Sequence, residues 1–319
     1  MKQKKGKFWR SVILLFPTIF IVSVLSFSVV YFAPGNAAKL LLREQLNLTF
    51  ITDEQANDYA EKLGIDKSFG DLYLHWLKGA VRGDFGNSLN YGKPVVEVFW
   101  SKYKITLMLS LLGIFFEVLF AFPLGLRAGL RPKGAADFLV SIWSVLTNSI
   151  PAFWLSLIAV YVLSVKLRWK FAIGYYGVQS LIVPAFLMGI ISSGNLARII
   201  RKKSMDIVKE PFVEFALSQG LSLGQILRYH ILPHILPVAI SMVVLDISGF
   251  LGGAVLVEGI FNIPGFSGIL QKAVQVKDYP LISGALFFIG GMICVLNILA
   301  DAVYPKLDTR NENEIYNPA

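Results

Sequence analysis

Cysteine is almost absent from this chain: 319 residues hold one, Cys294. No intrachain disulfide can therefore staple the fold, and the redox compartment cannot be read from thiol usage. Charge is scarce as well, since Asp, Glu, Lys and Arg make up only 16% of residues while 55% are hydrophobic and the mean hydropathy is +0.61. A soluble protein of that composition would need a core larger than its polar surface could cover, which excludes that class. No G-x-x-x-x-G-K-[ST] phosphate loop occurs, so ATP cannot be bound here by that mechanism. Histidine numbers three. His230 and His234 have the i, i+4 spacing of a metal pair, but Ile231, Leu232 and Pro233 fill the interval where the zinc motif needs a glutamate. Helix packing is the simpler role for them, and no metal site is expected. His75, beside Trp76, reads as structural. Internal repeats, including the inverted halves of many secondary transporters, are missing too.

What is present is apolar sequence in long runs. Six of them (residues 11–31, 105–126, 138–165, 181–197, 231–257 and 279–300) approach or exceed the roughly 20 residues that cross a bilayer. Four carry no charge; the run at 105–126 holds only Glu117 and that at 231–257 only Asp246. A carboxylate at mid-bilayer costs about 2.5 kcal/mol on insertion scales, so these two are expected to face the bundle or a wet cavity, as pathway-lining or as buried hydrogen-bonded groups. Pro17, Pro123, Pro151 and Pro184 do not argue against the spans, because neighbouring helices can satisfy the freed backbone groups. The first run is 21 residues, longer than the 7–15 of a signal-peptide core, so it reads as a retained helix.

Basic residues set the orientation. With a cytoplasmic N-terminus, the inside segments (1–10, 127–136, 197–233, 304–319) hold 16 Lys and Arg, and the short outside loops (166–180, 259–282) hold 5. Both termini are thus expected in the cytoplasm of a multi-pass cell-membrane protein. This topology accounts for the net charge of +9 without nucleic acid. The expected fold class is an all-α integral membrane protein with six transmembrane helices. Residues 1–33 form the N-terminus and first helix, 34–104 an extracytoplasmic segment, 105–303 the core with a cytoplasmic loop at 198–233, and 304–319 a cytoplasmic tail.

Segment 34–104 has enough polar sequence to fold outside the lipid. Thr52-Asp53-Glu54-Gln55 has capping-box spacing, and the helix it starts can end at Gly64. A second helix is expected from near Ser68, with Leu72, Trp76 and Ala80 along one face, until the turn cluster Arg82–Ser88 breaks it. Either this segment simply caps the bundle or it also touches an external partner. In the fifth run, Gly249 and Gly253 have the small-xxx-small spacing of close helix packing. Packing within the subunit is the first reading, and an interface with a second subunit the other.

The loop at 198–233 carries the most information. Glu214-Phe215-Ala216 on a short helix precede Gly220, which suits the left-handed conformation that ends helices. A second helix through Leu223, Ile226, Leu227 and Tyr229 follows, and Leu232-Pro233 suits a new helical start. These positions resemble the E-A-A-x3-G-x9-I-x-L-P loop of permease subunits in binding-protein-dependent ABC importers, with Phe215 replacing an alanine and His230 the isoleucine. The resemblance to the dipeptide, oligopeptide and nickel branch runs along nearly the whole chain. It continues through Gly83–Ser88 with Lys93-Pro94-Val95, Thr106-Leu107, Ser149–Trp154, Glu258–Phe266, Asp278-Tyr279-Pro280 and Asp301–Tyr304. Asp308-Thr309-Arg310 stands where the branch usually has Asp-Pro-Arg.

The resemblance implies a type I importer half-channel partnered by a homologous permease, two P-loop ATPases and an extracytoplasmic substrate-binding protein. No cofactor is expected on this chain, with ATP and Mg on the ATPases, and no catalytic residue. Glu214, Ala216, Gly220, Leu223, Leu232 and Pro233 would form the ATPase-docking loop; Glu117 and Asp246 would be candidates for the pathway. Short peptide is the expected substrate on family frequency, with nickel or a metal chelate the alternative. From other classes, a proton-coupled secondary transporter using Glu117 and Asp246, or a membrane scaffold, would need no ATPase.

Overall fold

The computed structural model describes residues 2–46 and 50–307; residues 308–319, with the Asp308-Thr309-Arg310 part of the tail, lie outside the described residues. The elements are helices, in order α1 Lys2–Phe32, α2 Ala37–Leu46, α3 Asp53–Leu63, α4 Phe69–Ala80, α5 Val95–Leu130, α6 Ala135–Ser149, α7 Ala152–Val160, α8 Val178–Val208, α9 Pro211–Ser218, α10 Leu223–Ile226, α11 Leu232–Phe261, α12 Phe266–Val276 and α13 Tyr279–Leu307. Widened π turns follow α7 at Tyr161–Lys166 and α10 at Leu227–Ile231.

Four stretches are long and apolar enough to cross a membrane: Val95–Leu130, Val178–Val208, Leu223–Phe261 and Tyr279–Leu299. Two bent pairs bring the number up to six if each is one span: Phe16–Phe32 with Ala37–Leu46, bent by 75°, and Ala135–Ser149 with Ala152–Lys166, bent by 88°. The straight span expected at 138–165 is therefore corrected to a broken one. Ile150 has extended ψ of 117°, as steric conflict with the following proline ring favours, and Pro151 has no N–H to carry the ladder onward. Pro17, Pro123, Pro184 and Pro237 instead lie inside continuous helices.

The chain divides into two compact units. The first contains Met108–Ile263, with the terminal stretches Met1–Ser11 and Val295–Ala319. Its centre is α8, against which α5 and α6 approach at glycines. A Cβ at Gly129 would lie 2.6 Å from the Arg201 carbonyl oxygen, and one at Gly194 would lie 3.1 Å from the Ser144 Cα. Small residues thus let backbones touch where lipid supplies no driving force between helices. Buried Ala121, Leu196, Ile200 and Ile235 fill one part of this core, together with Val213, Ala216 and Ile226 of the loop helices. Gly249, Gly252 and Gly253 on α11 behave differently: nothing lies within 4 Å of a Cβ built on any of them. The reading that they pack within the subunit is thus corrected, because their face of α11 is open.

The second unit comprises Val12–Leu107 and Pro264–Cys294. The expected caps are present: Thr52 and Gln55 make a reciprocal capping box, Gly64 ends α3 at φ 66°, and Ser68 caps α4. Helix α2 was not expected from the sequence. Phe27, Tyr73, Trp76, Phe85 and Tyr279 make an aromatic core, with ring centroids 5–7 Å apart in edge, tilted and stacked arrangements. Two sequence motifs 190 residues apart meet here. The buried Asp278 carboxylate accepts from the Ser88 hydroxyl, from Asn90 N–H at 3.1 Å and from Leu281 N–H at 3.2 Å, so it ends the turn cluster and caps α13 at once. Neighbouring Lys277, left-handed at φ 56°, donates its ammonium to the Ala33 and Gly35 carbonyls just after α1, the latter at 2.6 Å. Burial pushes the Asp278 carboxyl above the ordinary aspartate range, although its hydrogen bonds oppose this; burial alone pushes Lys277 down.

Candidate functional site

The loop that follows α8 is two short helices with a hinge between them. Pro211 sits in the first turn of α9, where its missing N–H costs nothing. The helix ends as Gln219 and Gly220 fold back, with Gly220 N–H donating to Leu217 O at 3.0 Å and Leu221 N–H to Ala216 O at 3.3 Å. Gly220 has φ 78°, the left-handed conformation its sequence position suggests. Ser222 then opens α10 through a capping box with Gln225, a S-x-x-Q signal that was legible but unread in the sequence.

From this geometry the outward residues follow. Glu214, Phe215 and Leu217 of α9 are exposed, as is Leu223 at 77%. Ala216 is 3% exposed and packs with Val213 into the first unit's core, so it lies on the inner side of α9. What α9 offers is a carboxylate flanked by apolar side chains, on a helix whose inner face is fixed to the unit that contains α8. The second loop helix continues without a stop: α10, the π turn and α11 run as one helix, Leu223–Phe261. Leu232 and Pro233 are thus its interior rather than a fresh start, and the widened turn ahead of Pro233 accommodates a residue that cannot donate to the ladder. Any displacement of α10 is in consequence continuous with the membrane segment.

His234 stacks on Phe212 of α9 with ring centroids 5.2 Å apart, and its Nδ1 faces the His230 carbonyl at 2.7 Å. Both histidines lie beside Phe212 at the joint between α9 and α11. Among the described residues no group of three His, Cys, Asp or Glu could hold a metal ion.

A pair the sequence reading did not single out pins the other end of this region. Asp137, at the start of α6, is buried and forms an ion pair with Arg201 of α8, while its second oxygen accepts the Lys133 N–H at 2.7 Å. One carboxylate thereby holds the α5–α6 turn, the first turn of α6 and the C-terminal part of α8, ten residues before α9 begins. Its sequence signal is only an acid and a base at the edges of separate apolar runs.

Glu117 of α5 is fully buried, and the ionisable group it meets is Asp246 of α11, itself half-buried. The Asp246 carboxyl is the polar side chain that faces Glu117 in this buried site. The Ser110 hydroxyl, two turns earlier on α5, is buried and without a partner. The structure thus brings the two sequence-picked carboxyls together, three residues from the open glycine face that begins at Gly249.

Comparison with known proteins agrees with this layout. Residues 121–313 match the family model described as binding-protein-dependent transport system inner membrane component. The chain is 29% identical to the glutathione transport system permease protein GsiC of Escherichia coli (strain K12), over 92% of this chain and 94% of that protein. It is also 29% identical to the oligopeptide transport system permease protein AppB of Bacillus subtilis (strain 168), over 95% and 98%. With the dipeptide transport system permease protein DppB of Alkalihalophilus pseudofirmus it shares 24% over 94% and 97%. Among solved structures, a chain of the inward-facing MetNI methionine ABC transporter superposes with a TM-score of 0.51 at 16% identity, covering 66% of this chain and 95% of that one. The match to the family model spans more than half of the sequence, and the chain belongs to the binding-protein-dependent transport system inner membrane components.

Proposed function

We propose that this chain forms half of the translocation pathway of an ABC importer for short peptides and receives its driving force through α9. The observation that carries this reading is the left-handed reversal at Gly220, which leaves Glu214, Phe215 and Leu217 outward on a helix fixed inward by Val213 and Ala216. Glu214 would pair with a basic or hydrogen-bonding group of a P-loop ATPase, and Phe215, Leu217 and Leu223 would supply the apolar contact around it. Closure of the ATPase pair then moves α9 with α10 and, through the continuous helix, α11; the Asp137–Arg201 pair carries the same motion to α6. Alternation between outward and inward openings is the expected consequence. ATP hydrolysis belongs to the partner subunits in this scheme, together with ATP and Mg.

A second, homologous permease would cover the open face of α11 at Gly249, Gly252 and Gly253, and an extracytoplasmic binding protein would deliver substrate. Glu117 and Asp246, beside that face, are proposed to line the pathway. The names of the relatives, glutathione, oligopeptide and dipeptide transport, support a peptide over nickel or a chelate. The test is reconstitution: uptake of a labelled dipeptide or tripeptide into proteoliposomes should require this chain, its permease partner, the ATPases and the binding protein together. Uptake by this chain alone, driven by a proton gradient, would establish the secondary-transporter reading instead.

A further inference from the structure

The second unit holds a cavity of about 820 Å³ that the docking loop and pathway leave unused. That volume is within the range of small-molecule sites. Its apolar wall is built from Phe27, Trp76, Phe85 and Tyr279, all below 10% exposed and all part of the unit's aromatic core. Lys67, Asp71, His75 and Asp84 also line it, and each is exposed. His75, which the sequence suggested was merely structural, thus belongs to a cavity wall.

The lining discriminates among ligand classes. An acyl chain would want an apolar wall throughout, and an inorganic anion would want positive charge alone. Neither describes a cavity with two carboxylates, a lysine and a histidine around an aromatic wall. The two carboxylates are also the pre-set members. Asp71 accepts the Ser68 hydroxyl at 2.7 Å, and Asp84 accepts Gly86 N–H at 2.9 Å, so both are oriented before any ligand arrives. Oriented carboxylates in a cavity that a tryptophan also lines favour an ammonium group. Lys67 has a long flexible stem suited to a carboxylate at variable distance.

We propose that this cavity is a binding site for a short unblocked peptide, its amino terminus at Asp71 and Asp84, its apolar side chain on the aromatic wall and its carboxylate toward Lys67 and His75. The inference rests on the peptide-importer reading and names a site for that substrate on the permease itself. Gly86, Asn87, Tyr279 and Pro280 also line the cavity, and Ser88 and Asp278 tie those two stretches together, so an occupant sits against the start of α13.

The experiment uses the assembled complex in lipid nanodiscs without its binding protein, and tritiated Ala-Phe-Ala as the probe. Saturable binding is expected, weakened at least tenfold by amino-terminal acetylation, less by carboxyl amidation, and at least tenfold by the exposed-site substitutions Asp71→Asn with Asp84→Asn. Glu54→Gln, at an exposed position of α3 outside the cavity lining, should leave this binding unchanged. Absence of saturable binding, equal binding of the acetylated peptide, or full binding by the Asp71→Asn/Asp84→Asn protein overturns the site. Uptake measured with the binding protein present separates the two claims. Peptide uptake without binding here sinks only the site, whereas binding here without peptide uptake sinks only the importer reading.

Discussion

Replacing Gly220 tests the hinge because structure and chemistry predict an order that side-chain size does not. Nothing lies within 4 Å of a Cβ built at Gly220, so the first side-chain atom meets no neighbour and its contact energy contributes almost nothing. The whole penalty comes from φ 78°. Asparagine visits the left-handed region readily and should cost a few tenths of a kcal/mol, alanine about 1 kcal/mol, and β-branched valine about 2 kcal/mol or more. At about 1.4 kcal/mol per tenfold change, Gly220→Val should deplete the native reversal by more than an order of magnitude while Gly220→Asn stays near the parent. The assay is ATPase activity of the assembled complex stimulated by its binding protein and substrate, with co-purified ATPase as the measure of docking. The expected order is Gly, Asn, Ala, Val. Asparagine is bulkier than alanine, so an order following size, or equal activity for all four, refutes the argument that the left-handed turn sets the direction of α9 against α10.

Four further outcomes follow from particular contacts. Glu214→Ala should weaken co-purification of the ATPase by about 1–3 kcal/mol if the carboxylate is hydrogen-bonded at a desolvated interface. Asp137→Ala should destabilise the first unit by about 1–3 kcal/mol in thermal unfolding, below the value for a fully buried pair because Arg201 keeps 26% exposure; Asp137→Asn should recover part by keeping an acceptor for Lys133. Asp278, outside the spans, is held above its ordinary value by burial. The folded state therefore binds this proton more tightly than the unfolded one, and stability should fall as pH rises from about 4 through the raised value; unfolding curves of Asp278→Asn should lack that slope. Single cysteines introduced after removing Cys294 should label from outside at Ala60 and Leu270 and from inside at Met205 and Glu312, and external labelling at Met205 would invert the topology.

Local features were the ones the sequence made readable. Thr52, Gly64, Ser68 and Gly220 each act through one or two neighbouring residues, so their roles follow from residue type and spacing alone. The break at Pro151 was misjudged because hydropathy is blind to direction: the residues on both sides are apolar, and only the extended conformation at Ile150 turns one run into two helices at 88°. Ala216 was read only as a member of the docking motif, whereas its burial on the inner side of α9 depends on the core residues packed against it. Asp137 with Arg201, and Ser88 with Asp278, are 64 and 190 positions apart and become pairs only through packing. The Gly249 face shows the converse: its spacing said close packing, yet among the described residues nothing lies within 4 Å of a Cβ built there.

The central claim is that α9 is where the driving subunit attaches, and cross-linking tests it most directly. A photoreactive residue at Phe215, which is 65% exposed beside Glu214, should form an adduct with a P-loop ATPase in the assembled complex, changing in yield between nucleotide-free and ATP-trapped states. The same probe at Leu74, 53% exposed on α4, should form none. A complex that contains the ATPase but gives no adduct from Phe215 in either state would contradict the account.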